Sequence, residues 1–138
     1  MPAKKLKIVI DTNLWISFLI SKKFDALDNL FSIDNLVLIF SEELLEEFVE
    51  VAKRPKFEKY FSTTDLVILL SQIYTKAQFI DVKSEISICR DEKDNFLLSL
   101  AKDSKANYLI SGDKDLLQIQ KLGNTNIITI SEFLSLNK

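Results

Sequence analysis

The chain has 138 residues but no histidine, one cysteine (Cys89), two glycines and two prolines. Without histidine it has no Ser-His-Asp or Cys-His nucleophilic machinery. With one cysteine it also lacks the ligands of the common zinc and iron–sulfur sites. Two isolated glycines cannot form a Walker loop or a dinucleotide-binding fingerprint. If the protein is an enzyme, its chemistry therefore depends on carboxylates, which commonly act with a hard divalent cation.

The bulk composition is typical of a globular protein, with 47% hydrophobic residues and a formal net charge of −2. We expect one domain over residues 1–138 with a substantial core. The longest apolar runs, 36–40 and 66–70, are too short to cross a bilayer, and the single cysteine suits a reducing compartment. These features predict a soluble cytoplasmic protein with no membrane partner. Because the balance of charge is slightly acidic, a nucleic-acid partner needs a local basic patch.

Short apolar segments of strand type alternate with segments of helical periodicity. The predicted strands are 6–10, 36–40, 79–82, 108–110 and 127–130. The predicted helices are 14–20, 26–31, 41–54 with Ser41 as cap, 62–76 with a Ser62–Asp65 capping box, 94–105, 116–119, and a last turn capped by Ser131. Apolar strands separated by helices predict an α/β fold with a parallel sheet covered on both faces. Functional sites in such folds lie at the carboxyl ends of the strands.

Aspartates follow two of the predicted strands. Asp11 comes directly after the first strand, and Asp113 and Asp115 follow the fourth. Each of them can also be explained as a helix cap, because aspartate caps well. Two strands that each deliver aspartate to the same edge of one sheet nevertheless favour a shared site over two unrelated caps.

Asp94 lies on the apolar face of its predicted helix, which it shares with Leu97 and Leu98. A carboxylate that faces a core is costly unless it is paired or binds a metal. The alternative is a first-turn residue in a capping arrangement with Asp91. The next residue, Asn95, points in another direction and is a candidate for contact with substrate.

A run of glutamates lies along the third predicted helix. Glu43, Glu46 and Glu50 point away from its apolar stripe, as a solvated face does, whereas Glu47 borders the stripe beside Leu44. We therefore single out Glu47 as the acid of this helix. Carboxylates that converge on one cleft repel one another, and a divalent cation relieves that repulsion. Ligation by oxygen alone favours Mg²⁺ or Mn²⁺ over zinc.

Six segments, in order over nearly the whole chain, match one known family. They are Val9-Ile10-Asp11-Thr12-Asn13, the stretch from Ser41 through Glu47-Phe48, Lys53-Arg54-Pro55-Lys56-Phe57, Cys89-Arg90-Asp91-Glu92-Lys93-Asp94-Asn95, Ser111-Gly112-Asp113-Lys114-Asp115-Leu116-Leu117 and Ile128-Thr129-Ile130-Ser131-Glu132-Phe133-Leu134. With these segments the sequence resembles the PIN-domain ribonuclease family, in particular the toxin-like branch of bacterial toxin–antitoxin systems. Each motif alone is weak, but their combination is specific.

The resemblance implies a three-layer α/β/α sandwich around a short, mainly parallel central sheet. It also implies a catalytic quartet that holds one or two Mg²⁺ or Mn²⁺ ions, formed by Asp11, Glu47, Asp94 and Asp113. The implied auxiliary acid is Asp115, and the implied polar neighbours of the site are Asn13 and Ser111. Glu46 is the competitor of Glu47, since the spacing between the second strand and Asp94 varies in the family.

We therefore hypothesise a metal-dependent endoribonuclease, the toxin component of a toxin–antitoxin pair, with RNA as substrate and an antitoxin or a second copy as possible protein partners. The alternative is an inactive member of the same fold that binds RNA or a protein. A phosphatase of the haloacid dehalogenase kind needs a second aspartate at position 13, which is Asn13. The candidates for phosphate contact, each of which can also be an ordinary surface charge, are Arg90, Lys93, Lys53, Arg54 and Lys56.

Overall fold

A computed structural model describes residues 4–22 and 24–136 and has an α/β architecture. The strands, in chain order, are β1 (Leu6–Ile10), β2 (Leu36–Phe40), β3 (Ala77–Phe79), β4 (Tyr108–Ile110), β5 (Lys121–Leu122) and β6 (Thr125–Ile128). The helices are α1 (Thr12–Ser21), α2 (Phe24–Phe31), α3 (Glu42–Ala52), α4 (Thr63–Lys76), α5 (Glu92–Ser104), α6 (Lys114–Leu117) and α7 (Ile130–Leu136), with a 3-10 turn at Pro55–Phe57. The helices surround a sheet that is mostly parallel, which confirms the predicted fold class.

The strands form one sheet in the order β3-β2-β1-β4-β6-β5. All neighbouring pairs are parallel except β5 and β6, which form an antiparallel hairpin. The chain first builds the sheet from β1 outward to β2 and β3, and then returns to add β4 on the other side of β1. The order therefore reverses between β1 and β4, and a crevice at the carboxyl ends of these two strands is the expected ligand site.

Several local predictions differ from the structure. The helix predicted at 116–119 lies at Lys114–Leu117, and the strand predicted at 127–130 lies at Thr125–Ile128. The third strand was predicted at 79–82 but lies at Ala77–Phe79. The N–H of Ile80 still donates to the carbonyl of Phe40 in β2 at 2.9 Å, and from Lys83 onward the backbone binds side chains of α5. The hairpin strand β5 was not predicted. The last helix is capped by Thr129, which forms a capping box with Glu132, and not by Ser131.

The core fills the spaces between the sheet and the helices. Trp15 of α1 packs on Phe40 of β2 and Phe48 of α3 at ring-centroid distances of 6.5 and 6.4 Å. This packing joins α1, which Asp11 caps, and α3, which carries Glu47, to the same strand. Among the described residues, no helix combines the length and apolar character that crossing a membrane requires.

Helix α4 is apolar on two sides. Leu66, Leu69 and Ile73 are buried, whereas Val67 and Tyr74 are exposed. The core interpretation of this helix therefore holds for one of its faces, and the other remains a candidate for the predicted contact between two copies of the chain.

Candidate metal centre

A cleft of about 220 Å³ opens at the carboxyl ends of β1 and β4. Its lining includes the whole predicted quartet, which is Asp11, Glu47, Asp94 and Asp113. Four different elements supply these side chains: Asp11 and Asp113 follow two adjacent strands, Glu47 lies on α3, and Asp94 lies in the first turn of α5. The strand-end rule thus places the first two acids, while the packing of α3 and α5 against the sheet brings in the other two.

Asp11 is buried and held in one orientation. Its Oδ1 accepts the backbone N–H of Asn13 at 3.0 Å, and its Oδ2 accepts the hydroxyl of Ser111 at 2.8 Å. Burial raises the pKa of Asp11 above its ordinary value, although both hydrogen bonds act in the opposite direction. Ser111 also accepts the backbone N–H of Asp113 at 3.0 Å, so one hydroxyl ties the two strand ends together. Asp11 is therefore a helix cap and a site residue at once.

Asp94 is buried in the cleft, and its Oδ2 is a buried side-chain oxygen without a hydrogen-bond partner among the described residues. Burial, together with the negative charges of Asp113, Asp91 and Asp11, raises its pKa from 3.8 to about 6. The capping role in the alternative interpretation belongs to Asp91, whose side chain accepts the N–H of Lys93 at 2.9 Å. An unpaired buried carboxylate oxygen among like charges is what a cation-binding site offers to its ion.

Asp94, Asp113 and Asp115 each offer a carboxylate oxygen, and these oxygens lie within 4.8 Å of one another. This spacing and the all-oxygen donor set fit a hard divalent cation such as Mg²⁺ or Mn²⁺. Asp115, predicted as an auxiliary acid, thus lies in the tightest group of possible ligands. Asp113 also caps α6 by accepting the N–H of Asp115 at 2.8 Å.

Glu47 projects into the cleft from α3, and Lys93 Nζ lies 3.8 Å from its Oε1. The competitor, Glu46, is exposed and is absent from the cleft lining. The helical-face argument that preferred Glu47 thus agrees with the geometry. Because Lys93 lies beside Glu47, this acid is already partly neutralised, in contrast to Asp94.

Asp91 is a member of the cleft that the sequence interpretation treated only as a cap. It caps α5 just as Asp11 caps α1, so the amino ends of two long helices face the acids. The positive end of each helix dipole stabilises nearby carboxylates and lowers the cost of bringing them together. The signal that could have found Asp91 is its position three residues before Asp94.

The predicted basic residues divide among three places. Arg54, Lys56 and Lys93 line the acidic cleft itself. Arg90 lies beside it, where its Nη2 donates to Asp115 Oδ2 at 3.3 Å. Lys53 lines a separate small recess and is not brought to the cleft. Three cations therefore share the lining of the cleft with the acids; we call Arg54, Lys56 and Lys93 its basic wall and the quartet of acids its acidic floor.

Asn95 does not face the cleft as a substrate contact. It is buried, its side-chain oxygen accepts the N–H of Cys89 at 2.8 Å, and its amide donates to the carbonyl of Cys89 at 3.0 Å. Ser99 and Asp103, four and eight residues further along α5, likewise bind backbone N–H groups of the segment 83–86. These three side chains hold the irregular segment that leads to Arg90. Sequence interpretation missed this polar stripe, although its four-residue spacing was visible.

Comparison with known proteins identifies the family. Residues 7–115 match the model of the PIN domain. Over 120 residues the chain is 33% identical to the uncharacterized protein MJ1680 of Methanocaldococcus jannaschii, a similarity that covers 84% of this chain and 76% of that protein. The part of the chain matched by the family model includes all four acids of the quartet.

Proposed function

Since the chain belongs to the PIN domain family, whose members are generally nucleases, we propose that it is a Mg²⁺- or Mn²⁺-dependent endoribonuclease. The observation that carries the proposal is the buried Oδ2 of Asp94, which has no hydrogen-bond partner among the described residues and lies in a cleft with Asp11, Glu47 and Asp113. Family membership supports a nuclease, and this oxygen supports a metal site that has been retained.

Asp94, Asp113 and Asp115 would hold one ion, because their oxygens lie close together. Asp11 completes the site from the neighbouring strand, and Glu47 lies at its border, where it orients water or contributes to a second ion. When bound, the ion would polarise a phosphodiester and activate water for an in-line displacement. Ser111 keeps Asp11 oriented through the hydrogen bond at 2.8 Å.

The basic wall would bind the RNA backbone. Arg54 and Lys56 come from the segment after α3, and Lys93 comes from the start of α5, so the cleft offers positive charge from two sides. Phosphates held there would lie next to the acidic floor. This local charge would offset the overall negative charge of the chain, and binding should weaken as salt increases.

The test is cleavage of a mixed RNA preparation by purified protein in Mg²⁺ or Mn²⁺. We expect EDTA and the variant Asp11→Asn to abolish cleavage, whereas the matched surface variant Asp25→Asn retains it, because Asp25 is exposed on α2. Cleavage that persists in both EDTA and Asp11→Asn would refute the metal mechanism. Calorimetry with Mn²⁺ provides a second readout, in which Asp94→Asn should bind the ion far more weakly than Asp25→Asn. No cleavage of any RNA, together with intact RNA binding, would favour the inactive binding module.

We also propose the finer assignment, a cytoplasmic toxin controlled by a cognate antitoxin. Its support is the match of motifs to the toxin-like branch of the family. The neighbouring gene tests it: we expect a small DNA-binding protein whose co-expression suppresses the ribonuclease activity. A neighbourhood without such a gene would count against this assignment and leave the ribonuclease proposal intact.

A further inference from the structure

A second recess of about 320 Å³ adjoins the acidic cleft. It is lined by Ile88, Cys89, Arg90, Asp115, Gln118 and Ile119. Asp115 belongs both to this recess and to the group of oxygens that would hold the ion. A phosphate bound over that group would therefore have the recess beside it.

The wall of the recess is rigid. The backbone of Cys89 is fixed at both its N–H and its carbonyl by Asn95, and the N–H of Ile86 is bound by Ser99 at 3.1 Å. Both anchoring side chains are buried on α5. An exposed loop next to an active site thus has a fixed shape, which is the condition for selective binding without a large entropy cost.

The chemistry of the lining suits a nucleobase. Ile88 is 64% exposed, although its side chain is large and apolar, and Ile119 is half-buried, so both offer apolar contact to the face of a planar ring. Gln118 is exposed, and within the described ranges 4–22 and 24–136 its side-chain amide makes no hydrogen bond. Such an amide offers a donor and an acceptor side by side, which is the pattern that pairs with the N6 and N7 atoms of adenine.

We propose that this recess binds the base next to the scissile phosphate and thereby sets the sequence preference of cleavage, with Gln118 reading the edge of the base. The inference rests on the proposed ribonuclease function. Single-stranded RNA is commonly recognised by unstacked bases that enter such recesses. The recess lies at the lower end of the size range of small-ligand sites, about 300 to 1,000 Å³, which is enough for one base and excludes a folded peptide element. Arg90, which bridges to Asp115, lies between the base and the phosphate.

The experiment uses a short RNA pool that is randomised in sequence and partially cleaved in Mg²⁺ or Mn²⁺, with the cut ends sequenced. We expect the wild type to prefer adenine on one side of the cut. In Gln118→Ala the preference at that position should fall by about tenfold, the worth of one bidentate contact. Ile88→Ser should weaken the same preference. The matched controls are Gln78→Ala at the far edge of the sheet and Ile68→Ser on α4, both exposed and outside the recess.

The outcomes separate the two proposals. Loss of a base preference in Gln118→Ala, but not in Gln78→Ala, supports the base-binding recess. Active cleavage with the same preference in wild type and in Gln118→Ala overturns the recess proposal and leaves the ribonuclease standing. A recess that served a protein partner instead would give this second result. Absence of any cleavage by the wild type overturns the ribonuclease proposal, and the recess proposal falls with it.

Discussion

Two neighbouring residues of α5 are equally buried but differ completely in their hydrogen bonding. Asn95 is 2% exposed and binds both backbone groups of Cys89. Asp94 is 5% exposed, and its Oδ2 has no partner within the part of the chain that the structure describes. A buried polar group that is satisfied stabilises the fold, whereas one left without a partner destabilises it. The comparison shows that one side of α5 anchors the segment 83–89 through hydrogen bonds, while the other side faces the candidate metal centre.

The contrast between the two sides of α5 can be tested by substitution, and the largest expected effect is on the cleavage rate. Asp94→Asn removes one negative ligand of the proposed ion, whose charge stabilisation is worth several kcal/mol. We therefore expect the cleavage rate to fall by at least about 1,000-fold, measured with saturating Mg²⁺. On the other side of the helix, Asp103→Asn should retain most of its activity. Equal losses in the two variants would show that the two sides do not differ in function.

The second expected effect of Asp94→Asn is on stability, which should increase at neutral pH although the cleavage rate falls. Folding raises the pKa of Asp94 from 3.8 to about 6. Between these two pH values the folded protein therefore binds more protons than the unfolded chain. The free energy of unfolding without metal should therefore fall as pH rises from about 4 to 6, by up to about 3 kcal/mol. Asp94→Asn should abolish the part of this fall that Asp94 contributes and be the more stable protein at pH 7; the part that comes from Asp11, whose pKa is also raised, should remain.

Urea denaturation at several pH values in EDTA measures this dependence. Added Mg²⁺ should restore stability at pH 7 in the wild type but not in Asp94→Asn, because the ion replaces the missing partner. If the variant unfolds at lower urea than the wild type at pH 7 in EDTA, the unpaired oxygen is not a source of instability.

The third expected effect is on stability and concerns Asn95, whose side chain is hydrogen-bonded to the backbone of Cys89. Asn95→Ala leaves the N–H and the carbonyl of Cys89 without their partner, so it should lower the free energy of unfolding by about 2 kcal/mol. Asn29→Ala is the control, since Asn29 is exposed on α2 and should change stability little. Thermal denaturation of both variants gives the difference. Similar melting temperatures would mean that the loop at Cys89 does not need its anchor.

The smallest expected effect is a pH dependence of local stability at Asp103, opposite in direction to that caused by Asp94. Hydrogen bonds from Ser84 and Lys83 lower the pKa of Asp103 below its ordinary value. The stabilisation by this carboxylate is therefore present above pH 4 and is lost as the pH falls further. The protection of the Ser84 N–H against hydrogen exchange, taken relative to the intrinsic exchange rate at each pH, should fall on acidification in the wild type. In Asp103→Asn this protection should be low already at neutral pH, and a protection that does not change with pH in the wild type would contradict the role of Asp103.

Much of the architecture follows from local patterns. The apolar strands at β1, β2 and β4 and the capped helices α3 and α4 are visible in the sequence, because burial on both faces demands continuous apolar runs and helix ends demand polar caps. The short strand β3 and the hairpin strand β5 were placed wrongly or missed. Strand β3 depends on pairing with the distant strand β2, and β5 has only the two residues Lys121–Leu122, so neither leaves much local signal.

The residues of the candidate site were recognisable, but their roles were not. Asp11 and Asp113 could be located at the ends of strands, and Glu47 by its place on a helix face, since these are properties of periodicity. Asn95 was predicted as a substrate contact because sequence gives only its direction on the helix. In the structure that direction is occupied by the loop at Cys89.

Local sequence thus determined which residue types were available: carboxylates without histidine, few glycines, and apolar strands that end in aspartate. Tertiary structure alone decided that β4 returns beside β1, which places Asp11 and Asp113 together across a hundred residues. It also decided that Asp94 Oδ2 is buried without a hydrogen-bond partner among the described residues, while the side chain of Asn95 is bound to Cys89. The physical reason is that solvation and Coulomb interactions depend on distance in space, and spatial neighbours that are far apart in the chain leave no periodic trace in the sequence.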